Sequence, residues 1–277
     1  MATFAARLQQ QIAAHGPLCV GIDPSAAILK SCELPNTAEG ALAFGKRVLE
    51  AANFELSIVK PQSAFFERFG SLGFKAMEEL SALARSRDVL VLIDGKRGDI
   101  DSTALAYAEC YFGATTALHA DAITTHAYLG LGALDPMLDF AIKHAAGVFV
   151  VVRSSNPEGR ELQNARLASG ETVAQSLCRE ITARNQRYGN VPAGPIGAVV
   201  GATCDDAAET VAALPTSYIL APGVGAQGAT MQDIGALMPQ ARGRILANVS
   251  RAILANGASA SDIRTTIREL QRQAANL

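Results

Sequence analysis

The chain repeats one pattern from end to end: a short apolar run, a turn, and then a stretch with helical spacing. Eight apolar runs of strand length can be counted. They are Pro17–Ile22, Leu56–Lys60, Val89–Asp94, Ala120–Thr125, Gly147–Arg153, Ile196–Val200, Ser217–Ala221 and Arg244–Val249. Strands that alternate with helices pair in parallel, because each helix returns the chain to the same edge of the sheet. Eight such units fill about 250 residues in a closed barrel. We therefore predict an α/β fold, a single (β/α)8 TIM-barrel domain over residues 1–277 with a short N-terminal helix.

An open, doubly wound sheet is the alternative architecture. Such a sheet normally carries a glycine-rich dinucleotide-binding turn after its first strand. Here that turn reads Asp23-Pro24-Ser25, which favours the barrel.

Helical periodicity and capping residues predict the connecting helices. The predicted segments are 36–52 with a capping box from Asn36 to Glu39, Phe74–Ala84, Thr103–Phe112, Pro136–Ala145, Thr172–Tyr188, a helix capped by Asp205 and ending at Ala213, and a last helix capped by Ser259. The polar stretch from Ser154 to Gly170 is predicted as the longest loop.

Charge and hydropathy exclude two classes of partner. The chain has 24 basic and 26 acidic residues, a net charge of −2, so it lacks the excess of basic residues expected of a protein that binds nucleic acid. No run of about eighteen apolar residues occurs, and we expect no membrane span. The first residues do not have the order of a signal peptide, and we expect a cytoplasmic protein.

Five cysteines occur without a CxxC pair, at positions 19, 32, 110, 178 and 204. We expect them to be small buried side chains in a reducing compartment.

The third strand ends in a cluster of charges. Asp94, Lys96 and Asp99 follow the apolar run from Val89. Residues two apart on an extended segment point to the same side, so we expect Asp94 and Lys96 to lie together and Asp99 to lie beyond the strand. The carboxyl ends of barrel strands are where catalytic groups lie. A solvated surface ion pair is the simpler alternative.

Other strand ends carry polar residues that a barrel would bring to the same rim. They are Asp23, Lys60, Ser154, Ser155, the turn Pro222–Gly228 and Arg251. The loops after strands seven and eight commonly bind phosphate in such barrels. Gly223, Gly225 and Gly228 leave backbone N–H groups accessible to an anion, and Arg251 adds a bidentate donor. A tight turn without a ligand is the alternative for the glycines.

The sequence does not predict a metal site. The four histidines show no metal-ligand spacing, and Lys96 lies between the two carboxylates of the third strand. Neither a nucleophile elbow nor a P-loop occurs. We therefore expect no metal site.

The charged stretch resembles the signature of a known family. Asp94-x-Lys96-x-x-Asp99-Ile100-x-x-Thr103 is similar to the motif of the orotidine 5′-phosphate decarboxylase family. The segments Gly21–Asp23, Lys60, Ser155–Pro157, Pro222–Gly228 and Arg251 match the family in order and spacing. The length of the chain and the wording Asp94-Gly-Lys-Arg-Gly-Asp99 resemble the longer bacterial subgroup. The chain departs from the family in having Ser250-Arg251 where many members have Gly-Arg, and in a longer segment from Glu158 to Gly170.

The resemblance implies a reaction and its catalytic residues. Orotidine 5′-monophosphate would lose CO₂ to give UMP, the last step of de novo UMP synthesis, without metal or organic cofactor. Lys96 would stabilise and then protonate the carbanion at C6, and Asp94 would lie beside the departing carboxylate. Lys60 and Asp99 would complete an alternating chain of charges.

The resemblance also implies substrate contacts and a partner. Asp23 and Lys60 would hold ribose hydroxyls, and Ser155 the pyrimidine edge. Gln227 and Arg251 would bind the phosphate. Pro222 belongs to the same turn after strand seven as Gln227. The active unit would be a homodimer. The residues that reach into the partner's site would be Asp99, Ile100 and Thr103.

Two alternatives remain open. A Mg²⁺-dependent sugar-phosphate lyase of the same barrel superfamily would share the Asp-x-Lys-x-x-Asp arrangement, but it would need a metal-binding carboxylate set and would lack the Pro222–Gln227 wording. A catalytically silent nucleotide-binding barrel is the other. The free-energy cost of holding four charges together without a catalytic role argues against it.

Overall fold

The strands form a closed parallel barrel in sequential order, from the first strand to the eighth and back to the first. The computed structural model describes residues 2–188, 193–225, 228 and 230–277. The strands are β1 Leu18–Ile22, β2 Ile58–Pro61, β3 Leu90–Arg97, β4 Ala122–His126, β5 Gly147–Arg153, β6 Ile196–Val200, β7 Ile219–Ala221 and β8 Ile245–Val249. The predicted TIM barrel is confirmed, and the closure of β8 onto β1 excludes the open sheet.

Helices cover the outside of the barrel and one of its ends. They are α1 Phe4–His15, α2 Ala26–Ser31, α3 Ala38–Ala51, α4 Ser63–Glu67, α5 Ser71–Arg85, α6 Asp101–Phe112, α7 Asp135–Lys143, α8 Gly159–Asn164, α9 Val173–Asn185, α10 Ala207–Ala212, α11 Met231–Leu237 and α12 Ala260–Ala274. Short 3₁₀ turns occupy Leu131–Leu134, Gln186–Tyr188, Pro239–Ala241 and Arg251–Leu254. None of the helices in the described part of the chain is long and apolar enough to span a bilayer.

Alternation along the strands creates two apolar cores. In β1, Leu18 and Val20 point outward into the layer shared with the helices. Cys19 between them points into the barrel. Side chains of successive strand residues point to opposite faces, so both faces of each strand are buried. This explains why the strands read as nearly continuous apolar runs.

Helix α1 closes the lower mouth of the barrel, the end at which the strands begin. Phe4, Ala5 and Leu8 are buried in the inner core. The Phe4 ring meets the Phe149 ring edge to face, with centroids 6.1 Å apart. The Arg7 guanidinium forms an ion pair with Asp121, just before β4. The lower mouth is therefore filled by side chains. The opposite end, the upper rim, is the end at which a ligand can bind.

Several helix starts differ from the predictions, and α5 begins at Ser71, three residues before the predicted Phe74. Thr37, not Asn36, caps α3, because its hydroxyl accepts the Gly40 N–H. Helix α10 begins at Ala207, since the Asp205 carboxylate pairs with Arg160 at the surface instead of capping the helix. Helix α6 begins two residues before the predicted Thr103.

The predicted loop from Ser154 to Gly170 contains helix α8. This helix buries none of its side chains, so apolar periodicity could not reveal it. Gln163 anchors it instead, because its side-chain oxygen accepts the Ser154 N–H at 3.0 Å and a hydrogen bond from buried Arg153 at 3.0 Å.

Four of the five cysteines are buried, as expected, but Cys110 on α6 is exposed. Burial raises the pKa of Cys19 and of Cys178 to about 12. Both thiols therefore stay protonated at neutral pH.

Candidate active site

Three charged side chains converge at the upper rim between β2 and β3. Lys60 Nζ lies 2.8 Å from Asp94 Oδ2, and Lys96 Nζ lies 2.5 Å from Asp94 Oδ1. Lys60 and Asp94 are 4% and 6% exposed, whereas the Lys96 side chain is 50% exposed. Lys60 and Asp94 thus form a buried pair, and Lys96 extends from that pair toward the opening.

Two neutral donors complete the surroundings of Asp94. The Thr124 hydroxyl donates to Oδ1 at 2.8 Å, and Gln62 Nε2 donates to Oδ2 at 3.1 Å. A carboxylate has about four lone-pair positions, so its capacity to accept hydrogen bonds is filled. Neither donor was predicted from the sequence. For Thr124, the available signal was the pair of adjacent threonines in strand β4.

The charges of this cluster hold one another ionised. Burial alone would raise the pKa of Asp94, but the ammonium groups of Lys60 and Lys96 outweigh it and hold that pKa well below its usual range. Burial alone would lower the pKa of Lys60, but Asp94, with a smaller contribution from Asp23, keeps it above its usual value. The pair is therefore ionised at neutral pH.

The backbone of Lys96 is unusual. Its φ is 45°, in the left-handed region that non-glycine residues rarely adopt and that costs of order 1–3 kcal/mol. Pairing between β3 and β4 is irregular from Ile93 to Arg97. The Asp94 and Lys96 side chains meet as predicted, but the backbone between them is bulged and not regularly extended. Strand β3 ends at Arg97, three residues beyond the predicted end.

Asp99 does not join the cluster within one chain. In the described part of the structure its carboxylate accepts the Ile100 N–H at 2.8 Å and contacts neither lysine. Ile100 is 49% exposed although it is apolar, and Thr103 is exposed on α6. A Cβ on Gly98 would lie 2.6 Å from the His126 carbonyl oxygen, so the path toward Asp99 requires glycine.

Three buried polar side chains lie at the upper ends of β1 and β8. Asp23 Oδ1, Asn248 Oδ1 and Ser250 Oγ are buried, and none has a hydrogen-bond partner among the described residues. A Cβ on Gly21 would lie 2.8 Å from Ser250 Cβ, so glycine allows the two strand ends to approach. Buried polar atoms normally have partners. These three would suit a hydroxylated ligand.

The turns after β7 and β8 pack against each other. A Cβ on Gly225 would lie 2.8 Å from Ala252 Cβ, and exposed Arg251 begins the 3₁₀ turn directly after β8. Pro222 is half-buried at the start of the first turn. Three glycines of this turn have positive φ: Gly223 at 113°, Gly225 at 72° and Gly228 at 88°. The predicted phosphate residue Gln227 lies outside the described residues.

The two serines after β5 differ in their surroundings. Ser154 Oγ is bonded to Asn156 Oδ1 and Gln163 Nε2, each at 2.7 Å, so it supports the loop that carries α8. Ser155 is half-buried and packs against Gly201, where a Cβ would lie 2.9 Å from the Ser155 nitrogen. Ser155 is thus the serine that is free of this local network.

Within the described residues, no group of three or more His, Cys, Asp or Glu side chains is arranged to hold a metal ion. The carboxylate at the centre of the site, Asp94, is engaged by ammonium groups.

Comparison with known proteins identifies the family. The model of the orotidine 5′-phosphate decarboxylase / HUMPS family matches residues 16–266. This chain belongs to that family. Orotidine 5′-phosphate decarboxylase from Salinispora arenicola is 45% identical over 264 residues, which cover 95% of this chain and 94% of the relative. The Streptomyces coelicolor enzyme of the same name is 42% identical and covers 96% and 94%.

Solved structures agree with the family. A Streptomyces avermitilis protein, provisionally assigned as an orotidine 5′-phosphate decarboxylase, has a TM-score of 0.92 at 40% identity and covers 99% of this chain and 95% of that one. OMP decarboxylase from Leishmania donovani has a TM-score of 0.79 at 30% identity and covers 98% of each chain. The similarity therefore extends over the whole barrel.

Proposed function

We propose that this chain decarboxylates orotidine 5′-monophosphate to UMP and CO₂, the last step of de novo UMP synthesis, in the cytoplasm. The observation that carries the proposal is the buried Lys60–Asp94 pair with Lys96 extending from it toward the upper rim. The names of the relatives with 42–45% identity support the same reaction.

The chemistry follows from fixed charge. When the bond from C6 to the carboxylate breaks, its electron pair stays on C6 and CO₂ leaves. The Lys96 ammonium stabilises this developing negative charge and then transfers one proton to C6 to give UMP. Lys96 is half-exposed, so it regains a proton from solvent. These steps require neither a metal nor an organic cofactor.

Asp94 organises this charge. Because its pKa is held low, it stays ionised and fixes both ammonium groups. It also presents negative charge beside the carboxylate that leaves, which favours departure of CO₂.

The remaining substrate contacts lie around the same rim. Asp23 and Lys60 bind ribose hydroxyls, which would supply partners for the unpaired polar atoms at the ends of β1 and β8. Ser155 binds the pyrimidine edge. Arg251 and the turn from Pro222 to Gln227 bind phosphate. Phosphate binding far from the reacting carbon can be used to order the site in the transition state.

The active unit in this proposal is a homodimer. Asp99, Ile100 and Thr103 enter the partner's site, where Asp99 completes the alternating charges. The exposure of apolar Ile100 supports this arrangement, because burying it in an interface is favourable.

The decisive experiment is Lys96→Ala. We expect decarboxylation, followed as loss of orotidine monophosphate absorbance, to fall to the background rate, because no other described ammonium extends from Asp94 toward the opening. Circular dichroism should show an intact fold. Lys75→Ala, an exposed lysine on α5, is the matched control and should keep wild-type turnover. Substantial turnover by Lys96→Ala would remove Lys96 from the role of proton donor.

Chelation tests the alternative reaction. Wild-type activity should survive EDTA and dialysis. A requirement for added Mg²⁺, together with turnover of a sugar phosphate, would instead favour a metal-dependent lyase.

A further inference from the structure

One hydroxyl links the backbone and the charge of the proton donor. Thr124 Oγ1 accepts the Lys96 N–H at 3.0 Å and donates to Asp94 Oδ1 at 2.8 Å. We infer that Thr124 is a positioning residue that holds Lys96 and Asp94 in the geometry needed for proton transfer. The inference rests on the proposed function, because it concerns the same site.

The direction of both hydrogen bonds is determined. The ionised carboxylate of Asp94 has no hydrogen to give, so the single hydroxyl hydrogen of Thr124 must point to it. The hydroxyl oxygen is then left to accept the Lys96 N–H. Thr124 is buried, and buried hydrogen bonds of this kind are not readily replaced by solvent.

Lys96 needs this bond because its backbone departs from the sheet. The ladder between β3 and β4 is irregular from Ile93 to Arg97, and φ at Lys96 is 45°. The Thr124 hydroxyl takes the place of a strand carbonyl as acceptor for the Lys96 N–H. Without this hydrogen bond, the strained backbone at Lys96 is held less firmly. The position of the Lys96 ammonium group then becomes less fixed as well.

Asp94 needs the same hydroxyl for its orientation. Thr124 and Lys96 share Oδ1, while Lys60 and Gln62 share Oδ2. Removing the Thr124 donor leaves one buried lone pair unfilled and allows the carboxylate to rotate. Lys96 Nζ, which contacts that oxygen at 2.5 Å, would follow the rotation.

The next residue provides a matched control. Thr125 is fully buried, and its hydroxyl has no hydrogen-bond partner in the part of the chain that is described. It follows Thr124 on β4, so its side chain points to the opposite face. Replacing either threonine with valine removes one hydroxyl and keeps the shape, but only one hydroxyl touches the site.

The test compares Thr124→Val, Thr125→Val and Thr124→Ser. Removal of a hydrogen bond to a charged group predicts a fall in kcat of about 10- to 100-fold for Thr124→Val. The KM and the affinity for UMP should change less than about threefold, because the proposed ribose and phosphate contacts lie elsewhere. Thr125→Val should keep wild-type kcat, and Thr124→Ser should recover most of the lost activity.

A second measurement does not depend on activity. The Lys96 amide should exchange with solvent deuterium at least about tenfold faster in Thr124→Val than in Thr125→Val. If Thr124→Val does not fold, Thr124→Ala, which leaves space, takes its place with the same expectations.

Three results would overturn the inference. They are kcat of the folded Thr124 variant within twofold of wild type, an equal fall in Thr125→Val, or no recovery in Thr124→Ser. Each leaves the proposed function standing if wild type decarboxylates its substrate. Absence of turnover in wild type would overturn the proposed function, and the amide exchange would still decide whether Thr124 holds Lys96.

Discussion

Asp94 and Lys60 are each buried because the other is present. A buried charge without its partner is destabilising by about 3–5 kcal/mol. Lys60, whose Nζ lies 2.8 Å from Asp94 Oδ2, is buried together with this carboxylate. Lys96 differs, since half of its side chain reaches solvent. The same carboxylate therefore takes part in a structural pair and in the proposed catalytic pair.

This difference predicts separate effects on stability. Asp94→Asn should lower the free energy of unfolding by about 3–5 kcal/mol, because the Lys60 ammonium stays buried without a counter-charge. Lys96→Ala should lower it by less than about 1 kcal/mol, since a pair with one exposed partner contributes little. Urea unfolding followed by circular dichroism measures both. Equal losses would contradict the division of roles.

The low pKa of Asp94 predicts how stability depends on pH. The folded pKa lies below the unfolded value of about 3.9, so the contribution of the pair is present above that value. It is lost as the pH falls below about 4 toward the folded pKa. The difference in unfolding free energy between wild type and Asp94→Asn should therefore shrink from pH 6 to pH 2. A constant difference over that range would show that the carboxylate is not selectively ionised in the fold.

Arg251 predicts a loss of substrate binding energy. Arg251→Ala should lower kcat/KM about a hundredfold, because a charged hydrogen bond to phosphate is lost. This corresponds to a loss of roughly 3 kcal/mol of transition-state stabilisation. Arg242→Ala, at an exposed position before β8, is the control. Steady-state kinetics of both variants tests this, and wild-type kinetics in Arg251→Ala would place the phosphate elsewhere.

Lys60, Asp94 and Lys96 could be predicted from the sequence because charges that follow an apolar strand stand out. Thr124 and Gln62 could not, since their role depends on strand register. Leu92 pairs with Ala122, and this offset places Thr124, not Thr125, beside Asp94. Two adjacent threonines look the same in the sequence, and only the register distinguishes them.

At the scale of elements, strands were easier to predict than helix starts. All eight strands were found to within a few residues, because burial on both faces leaves a strong apolar signal. Helix α8 was missed because polar contacts hold it, and the start of α10 was misplaced because Asp205 pairs with Arg160 at the surface. Polar contacts of either kind leave no apolar periodicity in the sequence.

Helix α1 predicts that stability and activity can be separated. Phe4→Ala should lower the free energy of unfolding by about 3–5 kcal/mol, because it leaves a cavity in the inner core. The turnover of the folded enzyme should be unchanged, since the site lies at the upper rim. Gln10→Ala, at an exposed position of α1, is the control and should change neither quantity. Thermal unfolding and a turnover assay at 25 °C check this, and a parallel fall in kcat would contradict it.

At the scale of the whole molecule, the proposed site belongs to two chains. In the proposed dimer, Lys60, Asp94 and Lys96 would come from one subunit and Asp99 from the other. The fold of one chain could be predicted from its own sequence, but the completion of a site by a second copy has no signal in strand periodicity. The resemblance to the family supplied that expectation.

Mixing two inactive variants tests the shared site. Lys96→Ala and Asp99→Ala should each be inactive as pure dimers. Random exchange of subunits makes half of the dimers mixed, and each mixed dimer has one intact site of two, so about a quarter of wild-type activity should return. Activity no higher than the average of the parents would show that Asp99 acts in its own subunit. Sedimentation velocity should show a dimer for every variant.

Closure of the lower mouth by α1 has a consequence for exchange with solvent. The nucleotide cannot pass through the barrel, because Phe4, Ala5 and Leu8 occupy its far end. Substrate must arrive, and CO₂ and UMP must depart, at the upper rim. Retained product therefore blocks the next molecule of substrate, and inhibition by UMP should be competitive.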